Sequence, residues 1–484
     1  MTNQHDARTE AARTDVARTD EDQFTDTGTL KTILTTRQVS MMGLGGAIGA
    51  GLFVGSGAAV SIAGPAGLVS YIVAGIMVVL VMLMLAELVA AYPSSGAFST
   101  FAHRALGRTA GSTVGWLYWI QLVVVIAAEA TGAGAIVASW TPAVPQWIWV
   151  LVFIVVLTVI NLLGVANYGR FEYWFAFIKV AAIILFLIVG ALAIAGLVPG
   201  VEPVGFSNLL GHGGFAPTGF VGIAGALLIV MFAFGGTEVV SIAAAESDDP
   251  SGNIKRTMRS VMVRILVFYI GSILVIVTVL PWNDPAVAAG PFSAVLAVLG
   301  VPGVDMAMSV IVVIALLSAM NANIYGASRM VFSLAERRMA PRFFRSITQN
   351  GVPWAAVTGS VVFSFATVAL NWAWPEAVLP ALLNVVGSTL LVVWSSIVVS
   401  QIVLRRRADR TGRELPMRFP GFPWLSWVTL ALLIGVVVLA MFDPAARAQL
   451  LATFGLTALL ALVSKLVLKD VAPPTGAVEV PTGR

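Results

Sequence analysis

Three ionisable side chains, Glu129, Lys179 and Glu238, lie inside stretches of this sequence that are otherwise apolar. Burying a charge there is expensive, so each is expected to have a functional or structural reason. Lys179 could take up and release a proton, and a lysine that reaches to the surface is the alternative. Either glutamate could accept a proton or a solute's ammonium group. A protonated structural glutamate, bonded to neighbouring helices, is an equally open interpretation of each.

Two more charged residues lie near the ends of apolar stretches. We expect Glu87 to serve an interfacial or loop-anchoring role. For Arg329, anchoring of its helix is favoured over gating of a pathway.

Several kinds of chemistry are excluded by composition. The chain has no cysteine, and its three histidines, His5, His103 and His212, lie far apart, so no metal site is predicted. It lacks a Gly-rich phosphate loop ending in Gly-Lys-Ser or Gly-Lys-Thr, so an ATP-driven step is not expected. The net charge of +4 does not suggest nucleic acid, because basic residues of a membrane protein mainly report orientation. No cofactor and no nucleic-acid partner are predicted.

Two glycine-containing segments interrupt long apolar stretches. The first runs from Met41 to Gly57, and the second surrounds Phe234-Gly235-Gly236. Each glycine disfavours a continuous helix by about 1 kcal/mol relative to alanine. Close packing of helices through small residues would explain one such segment. Two breaks in corresponding positions are instead typical of a transporter's binding site.

The two breaks suit opposite ends of a zwitterion. A helix that begins after the break at Gly49-Ala50-Gly51 directs free N–H groups and its positive dipole end at a carboxylate. A helix that ends near Phe232 to Gly235 leaves carbonyl groups for an ammonium. Phe232 or Phe234 could close over the aliphatic part of the ligand. The predicted substrate-binding residues are Ile48, Gly49, Ala50, Gly51, Phe232, Ala233, Phe234 and Gly235.

The elements that position these residues are predicted to be membrane helices. The chain is 58% hydrophobic and 11% charged, whereas soluble domains carry about 25% charged residues. Its apolar runs of about 20 residues match the length of a helix that crosses a bilayer, and they do not resemble the alternating strands of a barrel. Twelve spans are predicted, at 38–62, 67–91, 113–137, 145–166, 173–196, 219–245, 260–281, 303–332, 353–371, 377–404, 422–443 and 448–468.

Loop charges predict the orientation. Five alternate loops hold 16 Lys and Arg residues, including the cluster 405–407, and the opposite loops hold only Arg447. Positive loops stay inside the cell, so both termini are predicted to be cytoplasmic. For the cluster 405–407 this topological role is favoured over recognition of anionic lipid. If five spans form one repeat, spans one and six are equivalent, and the odd number inverts the second copy.

The predicted domain organisation follows from these spans. Residues 1–37 form a disordered cytoplasmic tail, 38–404 a transport core of ten helices, and 405–421 a basic cytoplasmic loop. Residues 422–468 hold helices eleven and twelve, and 469–484 form a second cytoplasmic tail.

Several motifs occur in sequence order and together resemble the bacterial amino acid permease family. They are the stretch 36–57, Gly64-Pro65-Ala66-Gly67, Gly115-Trp116-Leu117-Tyr118-Trp119, Phe234-Gly235-Gly236-Thr237-Glu238, Pro281-Trp282-Asn283 and Tyr325-Gly326-Ala327-Ser328-Arg329. The resemblance spans about residues 36 to 405. Within the family, the segment 232–250 is most similar to permeases for 4-aminobutyrate and for neutral amino acids.

The resemblance implies an all-α membrane protein of the amino acid, polyamine and organocation superfamily. Its fold would have twelve transmembrane helices: a five-plus-five inverted repeat with broken helices one and six, and two extra helices. It also implies that the carboxylate and the amine of the substrate bind at the two breaks, and that Lys179 occupies the position of an ion in sodium-coupled relatives.

The expected function is secondary active transport in the inner membrane. A proton-coupled importer of a neutral amino acid or 4-aminobutyrate is favoured, working by alternating access and with lipids around it. An amino acid exchanger is the alternative. A channel or a membrane-embedded enzyme is less favoured, because charges are isolated rather than arranged in rings or catalytic clusters.

Overall fold

The fold is a bundle of apolar helices, seen here in a computed structural model. The structure describes residues 48–92, 97–163, 168–198, 205–238, 250–298, 300, 303–349 and 351–468. Every regular element in these ranges is helical, and eight helical stretches there are long and apolar enough to cross a membrane. Both predicted tails, the first part of predicted span one and the end of predicted span six lie outside the described residues.

The helices follow the predicted spans closely, with short helices between them. They are α1 (Ala50–Phe53), α2 (Gly55–Ala63), α3 (Gly67–Ala91), α4 (Ala97–Leu106), α5 (Arg108–Trp140), α6 (Gln146–Leu163), α7 (Tyr168–Ile194), α8 (Ser207–Gly211), α9 (Gly219–Phe234), α10 (Pro250–Val279), α11 (Pro285–Ala289), α12 (Pro291–Val298), α13 (Val304–Glu336), α14 (Trp354–Ala373), α15 (Pro375–Thr411), α16 (Trp424–Ala440) and α17 (Pro444–Val467).

The chain reverses direction between α2 and α3. Helix α2 runs antiparallel to α9, because Gly55 lies against Ile229 whereas Gly225 lies against Ile62. Helix α3 runs parallel to α9, since the Ser70 hydroxyl donates to the Ile223 carbonyl near the start of both helices. The single apolar stretch from 50 to 91 therefore contains two antiparallel helical segments, joined by a short 3-10 turn that begins at Gly64 with φ of 63°.

Helices α5 and α13 form a long antiparallel pair beside α14. Gly115 of α5 lies against Leu334 near the end of α13, and Gly132 lies against Leu316 nearer its start. Helix α14 runs parallel to α5. Its Ser360 accepts a hydrogen bond from Trp119 Nε1 at 2.9 Å, and its Asn371 donates to Thr131 at 3.0 Å. These contacts join α5, the helix that carries Glu129, to α13 and α14.

The outside of the bundle is apolar. Helices α6 and α17 are mostly exposed, yet they carry the composition of membrane spans. Large apolar side chains cover this surface, among them Leu163 and Trp424, which are 75% and 77% exposed. Such a surface is stable next to hydrocarbon and not in water. The chain is a multi-pass membrane protein.

A buried polar network connects α3, α15 and α16. The Glu87 carboxylate pairs with the Arg405 guanidinium at 2.7 Å and accepts a hydrogen bond from Gln401 Nε2 at 3.0 Å. It also accepts a hydrogen bond from the backbone N–H of Phe419, in the segment after α15. The Ser426 hydroxyl donates to Gln401 Oε1 at 2.9 Å. Glu87 thus anchors the segment between α15 and α16, as predicted from its position.

The cluster 405–407 divides into three environments. Arg405 is buried in the Glu87 network. Arg406 is exposed and lies over the ring of Trp427. Arg407 donates to the carbonyls of Arg104 and Ala105 at the end of α4, where helical carbonyls lack partners. Helix α15 consequently continues to Thr411, beyond the predicted end of span ten at 404, because its last turns are held by these contacts.

We expect Arg405→Ala to destabilise the protein, because Glu87 would keep its buried charge without its cationic partner. Loss of one member of a buried pair costs about 3–5 kcal/mol. Thermal unfolding in detergent should show a clearly lower midpoint for this variant. Arg410→Ala, at an exposed position on the same helix, is the matched control. Equal midpoints for both variants would contradict a stabilising role for the pair.

Candidate functional site

The predicted break in span one is the start of a helix in the interior of the bundle. Gly49 is the residue before α1, and its carbonyl accepts hydrogen bonds from the N–H groups of Leu52 and Phe53 at 3.1 Å. Val54 has helical dihedral angles and donates to the Ala50 carbonyl, so α1 and α2 form one helical run from Ala50 onward. The run begins among fully buried residues, where its first N–H groups need partners other than water.

The Glu129 carboxylate is the partner of the first N–H group. Ala50 N–H lies 2.9 Å from Glu129 Oε2 and 3.1 Å from Oε1. Glu129 is buried on α5, and a carboxylate at a helix start is favourably placed relative to the helix dipole. The interior start of this helix therefore binds a carboxylate of the protein, and the binding of a substrate carboxylate there stays a prediction.

Two glycines allow this close approach. A Cβ at position 49 would overlap Glu129 Oε1 and would lie 2.8 Å from the Ala319 Cβ of α13. A Cβ at position 51 would lie 2.5 Å from the Ala233 Cα and 3.1 Å from the Phe232 carbonyl oxygen. The second contact is with backbone, which cannot rotate away. The start of α1 and the end of α9 consequently touch backbone to backbone.

The predicted break in span six is the end of α9. This helix ends at Phe234, Gly235 is extended with ψ of 151°, and Gly236 has φ of 89°, which favours glycine. The Phe232 carbonyl accepts from Gly235 N–H at 2.8 Å, and the Phe234 carbonyl accepts from Thr237 Oγ1 at 3.0 Å. A carbonyl oxygen has two lone pairs, so both groups retain capacity for a further donor.

A small cavity lies between the two breaks. Its volume is about 10 Å³, which is room for about one water molecule. Five of the predicted residues line it, together with six others. The lining residues are Gly51, Gln121, Leu122, Val125, Glu129, Phe232, Gly235, Gly236, Glu238, Asn323 and Val386. Of the remaining predictions, Ile48, Gly49, Ala50, Ala233, Phe234 and Lys179 are buried without lining it.

Glu238 lies at the cavity beside polar groups of α5. The Tyr118 hydroxyl and the Gln121 amide face its carboxyl, and the Thr237 hydroxyl lies 3.5 Å from Oε2. Gln121 and Glu129 are eight residues apart on α5, which separates them by about 12 Å along the helix axis. Glu129 and Glu238 therefore line the cavity from positions about two helical turns apart along α5.

Lys179 is fully buried on α7. Its side chain does not reach the surface, so the surface-seeking alternative from the sequence does not apply. The charge of Lys179 acts on Glu129, which is close enough for the two groups to interact electrostatically. Lys179 therefore lies near the Glu129 carboxylate, which contacts the N–H group at the start of α1.

The two candidate phenylalanines have different surroundings. The Phe234 ring stacks on Tyr269 with centroids 5.0 Å apart and meets Tyr71 edge-on at 6.0 Å. It belongs to an aromatic cluster at the end of α9. Phe232 instead lines the cavity, so it is the phenylalanine in a position to contact a ligand.

Sequence reasoning missed several lining residues, of which Gln121, Asn323 and Val386 are examples. Gln121, Val125 and Glu129 recur every four residues, so they share one face of α5. Together with the polar residue Asn323 inside an apolar span, this spacing was a usable signal. Val386 gave no signal, because it is one apolar residue among many and only the packing of α15 brings it to the cavity.

Arg329 is buried on α13, away from the cavity lining. Its guanidinium lies over the Tyr325 ring, 4.0 Å from the centroid, and Nη1 donates to the Ser328 hydroxyl at 3.2 Å. Both of these partners are on its own helix, so the anchoring role of Arg329 stays a prediction.

The sequence of this chain is similar to a family of known proteins. The amino acid permease family model matches residues 38–471. The aromatic amino acid transport protein AroP of Corynebacterium glutamicum is 48% identical, over 90% of this chain and 95% of the relative. The gamma-aminobutyric acid permease of Bacillus subtilis is 44% identical, over 91% and 94%, and that of Escherichia coli is 43% identical, over 87% and 90%. The match covers both helix breaks and all the lining residues, and the chain belongs to the amino acid permease family of membrane transporters, which are not enzymes.

Proposed function

We propose that this permease imports a neutral amino acid or 4-aminobutyrate, coupled to protons, by alternating access. The observation that carries the proposal is the meeting of two interior helix ends of opposite polarity at one cavity. The run that begins at Ala50 presents N–H groups, and α9 ends there with carbonyl groups. A zwitterion is the solute whose two charges match these two ends.

The proposed substrate pose uses both breaks. The substrate carboxylate accepts hydrogen bonds at the helix start, formed by Ile48, Gly49, Ala50 and Gly51. Its ammonium lies at the carbonyls of Phe232, Ala233, Phe234 and Gly235. Leu122, Val125, Val386 and the Phe232 ring then surround the aliphatic part of the substrate, which suits a neutral side chain or a methylene chain.

The small cavity volume supports alternating access. A space for one water molecule does not admit an amino acid, so helices must separate for the substrate to enter. The contact between Gly51 and Ala233 is a backbone contact between α1 and α9, which allows these segments to move as units. A closed site that opens to one side at a time is the physical requirement of this mechanism.

Contact symmetry supports twelve spans built on an inverted repeat. In chain order, the spans are α1 with α2, then α3, α5, α6, α7, α9, α10, α13, α14, α15, α16 and α17. Exchange of spans one to five with six to ten preserves several of the packing partners among the described residues. Spans three and eight pack together, as do two and seven. Span three packs against span nine, and its counterpart, span eight, packs against span four. Span two packs against span ten, and its counterpart, span seven, packs against span five.

The proposed setting is the inner membrane with both termini in the cytoplasm, as loop charge predicts. The transport core of residues 38–404 and the last two helices stay predictions, and of the predicted basic loop 405–421 the residues 405–411 belong to α15. Helices that face outward with large apolar side chains are surrounded by lipid.

Substrate choice rests on the relatives. Their names include permeases for gamma-aminobutyric acid and a transporter for aromatic amino acids. Both classes are zwitterions without net charge, so the two-ended site suits either. Proton coupling rests on Lys179, Glu129 and Glu238, which are buried around the cavity and can exchange protons when it opens to water.

We expect Gly51→Val to weaken substrate binding at least about tenfold, because the new side chain must push α1 away from the backbone of α9. Overpacking of this kind costs about 1–3 kcal/mol. Equilibrium binding of radiolabelled 4-aminobutyrate and phenylalanine to purified protein measures the effect. Gly55→Ala is the matched control, since a Cβ there makes ordinary contacts at 3.5 Å or more. Unaltered affinity of Gly51→Val would count against the site at the break.

Lys179→Ala should abolish uptake driven by a pH gradient, because the buried cation beside Glu129 is lost from the coupling site. The measurement is accumulation of labelled amino acid in proteoliposomes with an acidic exterior. Lys465→Ala, at an exposed position on α17, should accumulate substrate normally. Wild-type accumulation with unchanged pH dependence in Lys179→Ala would reject the coupling role.

Uptake into empty and into preloaded vesicles separates import from exchange. A symporter should take up labelled substrate down a pH gradient into vesicles that contain no amino acid. Uptake that occurs only when the vesicles are preloaded with amino acid would favour an exchanger.

A further inference from the structure

The N–H group at the start of α1 is already occupied in this structure. Both oxygens of Glu129 lie within hydrogen-bond distance of Ala50 N–H, at 2.9 and 3.1 Å. The same carboxylate lines the cavity, and the missing Cβ of Gly49 leaves the space that Oε1 fills. The proposed function assigns this N–H group and this space to the carboxylate of the substrate.

Two carboxylates cannot share this position. Ala50 offers one backbone donor, and the space at Gly49 accommodates one oxygen. Two anions in contact inside a protein also repel strongly, because the interior screens charge poorly. Either Glu129 leaves the donor or it loses its charge when the substrate arrives.

We propose that Glu129 is an internal competitor of the substrate, and that a proton taken up by Glu129 removes it. The proton comes from water in the opened cavity and binds a carboxylate oxygen of Glu129. The neutral acid binds the N–H group more weakly and no longer repels an anion. The substrate carboxylate then takes the donor, so that one proton is bound with each substrate. This inference rests on the proposed function and adds the step that links the proton to binding.

The surroundings of Glu129 suit this role. Among the described residues, Lys179 of α7 and Tyr269 of α10 are titratable groups that interact with it from neighbouring helices. Ala50 and Ala319, from α1 and α13, contribute no charge at the contact. Lys179 lies close enough to Glu129 to be the counter-ion of its carboxylate form. The competitor therefore holds the site until a proton arrives, which prevents the empty site from binding substrate without a proton.

The test measures the dissociation constant as a function of pH. Labelled 4-aminobutyrate and phenylalanine are the probes, with purified protein in detergent between pH 5 and pH 8. In the wild type, affinity should fall as pH rises, approaching about tenfold per pH unit for one linked proton. Glu129→Gln imitates the protonated form in shape and charge. Its affinity should equal that of the wild type at acidic pH and should not change with pH.

Two further variants make the result specific. Glu129→Asp keeps a titratable carboxyl, so pH-dependent binding should persist in it. Glu238→Gln removes the other carboxyl of the cavity without touching Ala50, so it shows which of the two carboxyls binds the linked proton. Thermal unfolding midpoints confirm that each variant is folded before binding is compared.

Three outcomes would overturn the competitor role. One is a Glu129→Gln protein whose affinity still falls with pH as in the wild type. Another is a folded Glu129→Gln protein that binds neither probe at any pH, which would make the carboxylate a binding group. The third is loss of pH dependence in Glu238→Gln alone. Failure of the wild type to bind any probe would instead refute the proposed function itself.

Discussion

The structure depends on one constraint: a backbone N–H or carbonyl group inside a bilayer has no water to pair with. Most helices satisfy these groups internally. The helical run from Ala50 and the helix that ends at Phe234 do not, because both have an end in the interior of the bundle. The protein uses Glu129 at one end and Thr237 at the other. The backbone N–H and carbonyl groups at these two helix ends need hydrogen-bond partners, and the same groups can bind the charged ends of a solute.

Glycine makes this arrangement possible through size as much as through flexibility. At Gly49 and Gly51 any side chain would collide with Glu129 or with the backbone of Ala233. Helix ends brought this close leave a cavity that only one water molecule fits. Because this packing closes the cavity, the helices must move apart before substrate can enter in the proposed cycle.

Charge burial has two different uses in this chain. Around the cavity, Glu129, Lys179 and Glu238 are held close enough to influence one another or a ligand. At the other site, Glu87 and Arg405 form a pair with several hydrogen bonds that connects α3 with α15 and with the segment after it. The first set is proposed to change its protonation during transport, whereas the second is a fixed connection whose charges are already matched.

The sequence by itself determined the membrane helices, because long apolar runs have no other stable solution, and it located both breaks, because glycines there disfavour a helix. It also indicated an anchoring role for Glu87. Only the tertiary structure decided the partners. Glu129 meets Ala50 across 79 residues and Arg405 meets Glu87 across 318, and Phe232 rather than Phe234 lines the cavity. Composition and spacing indicate which groups are costly to bury. Which of these groups contact one another depends on how each helix is rotated and how the helices cross, and these are properties of the packed structure.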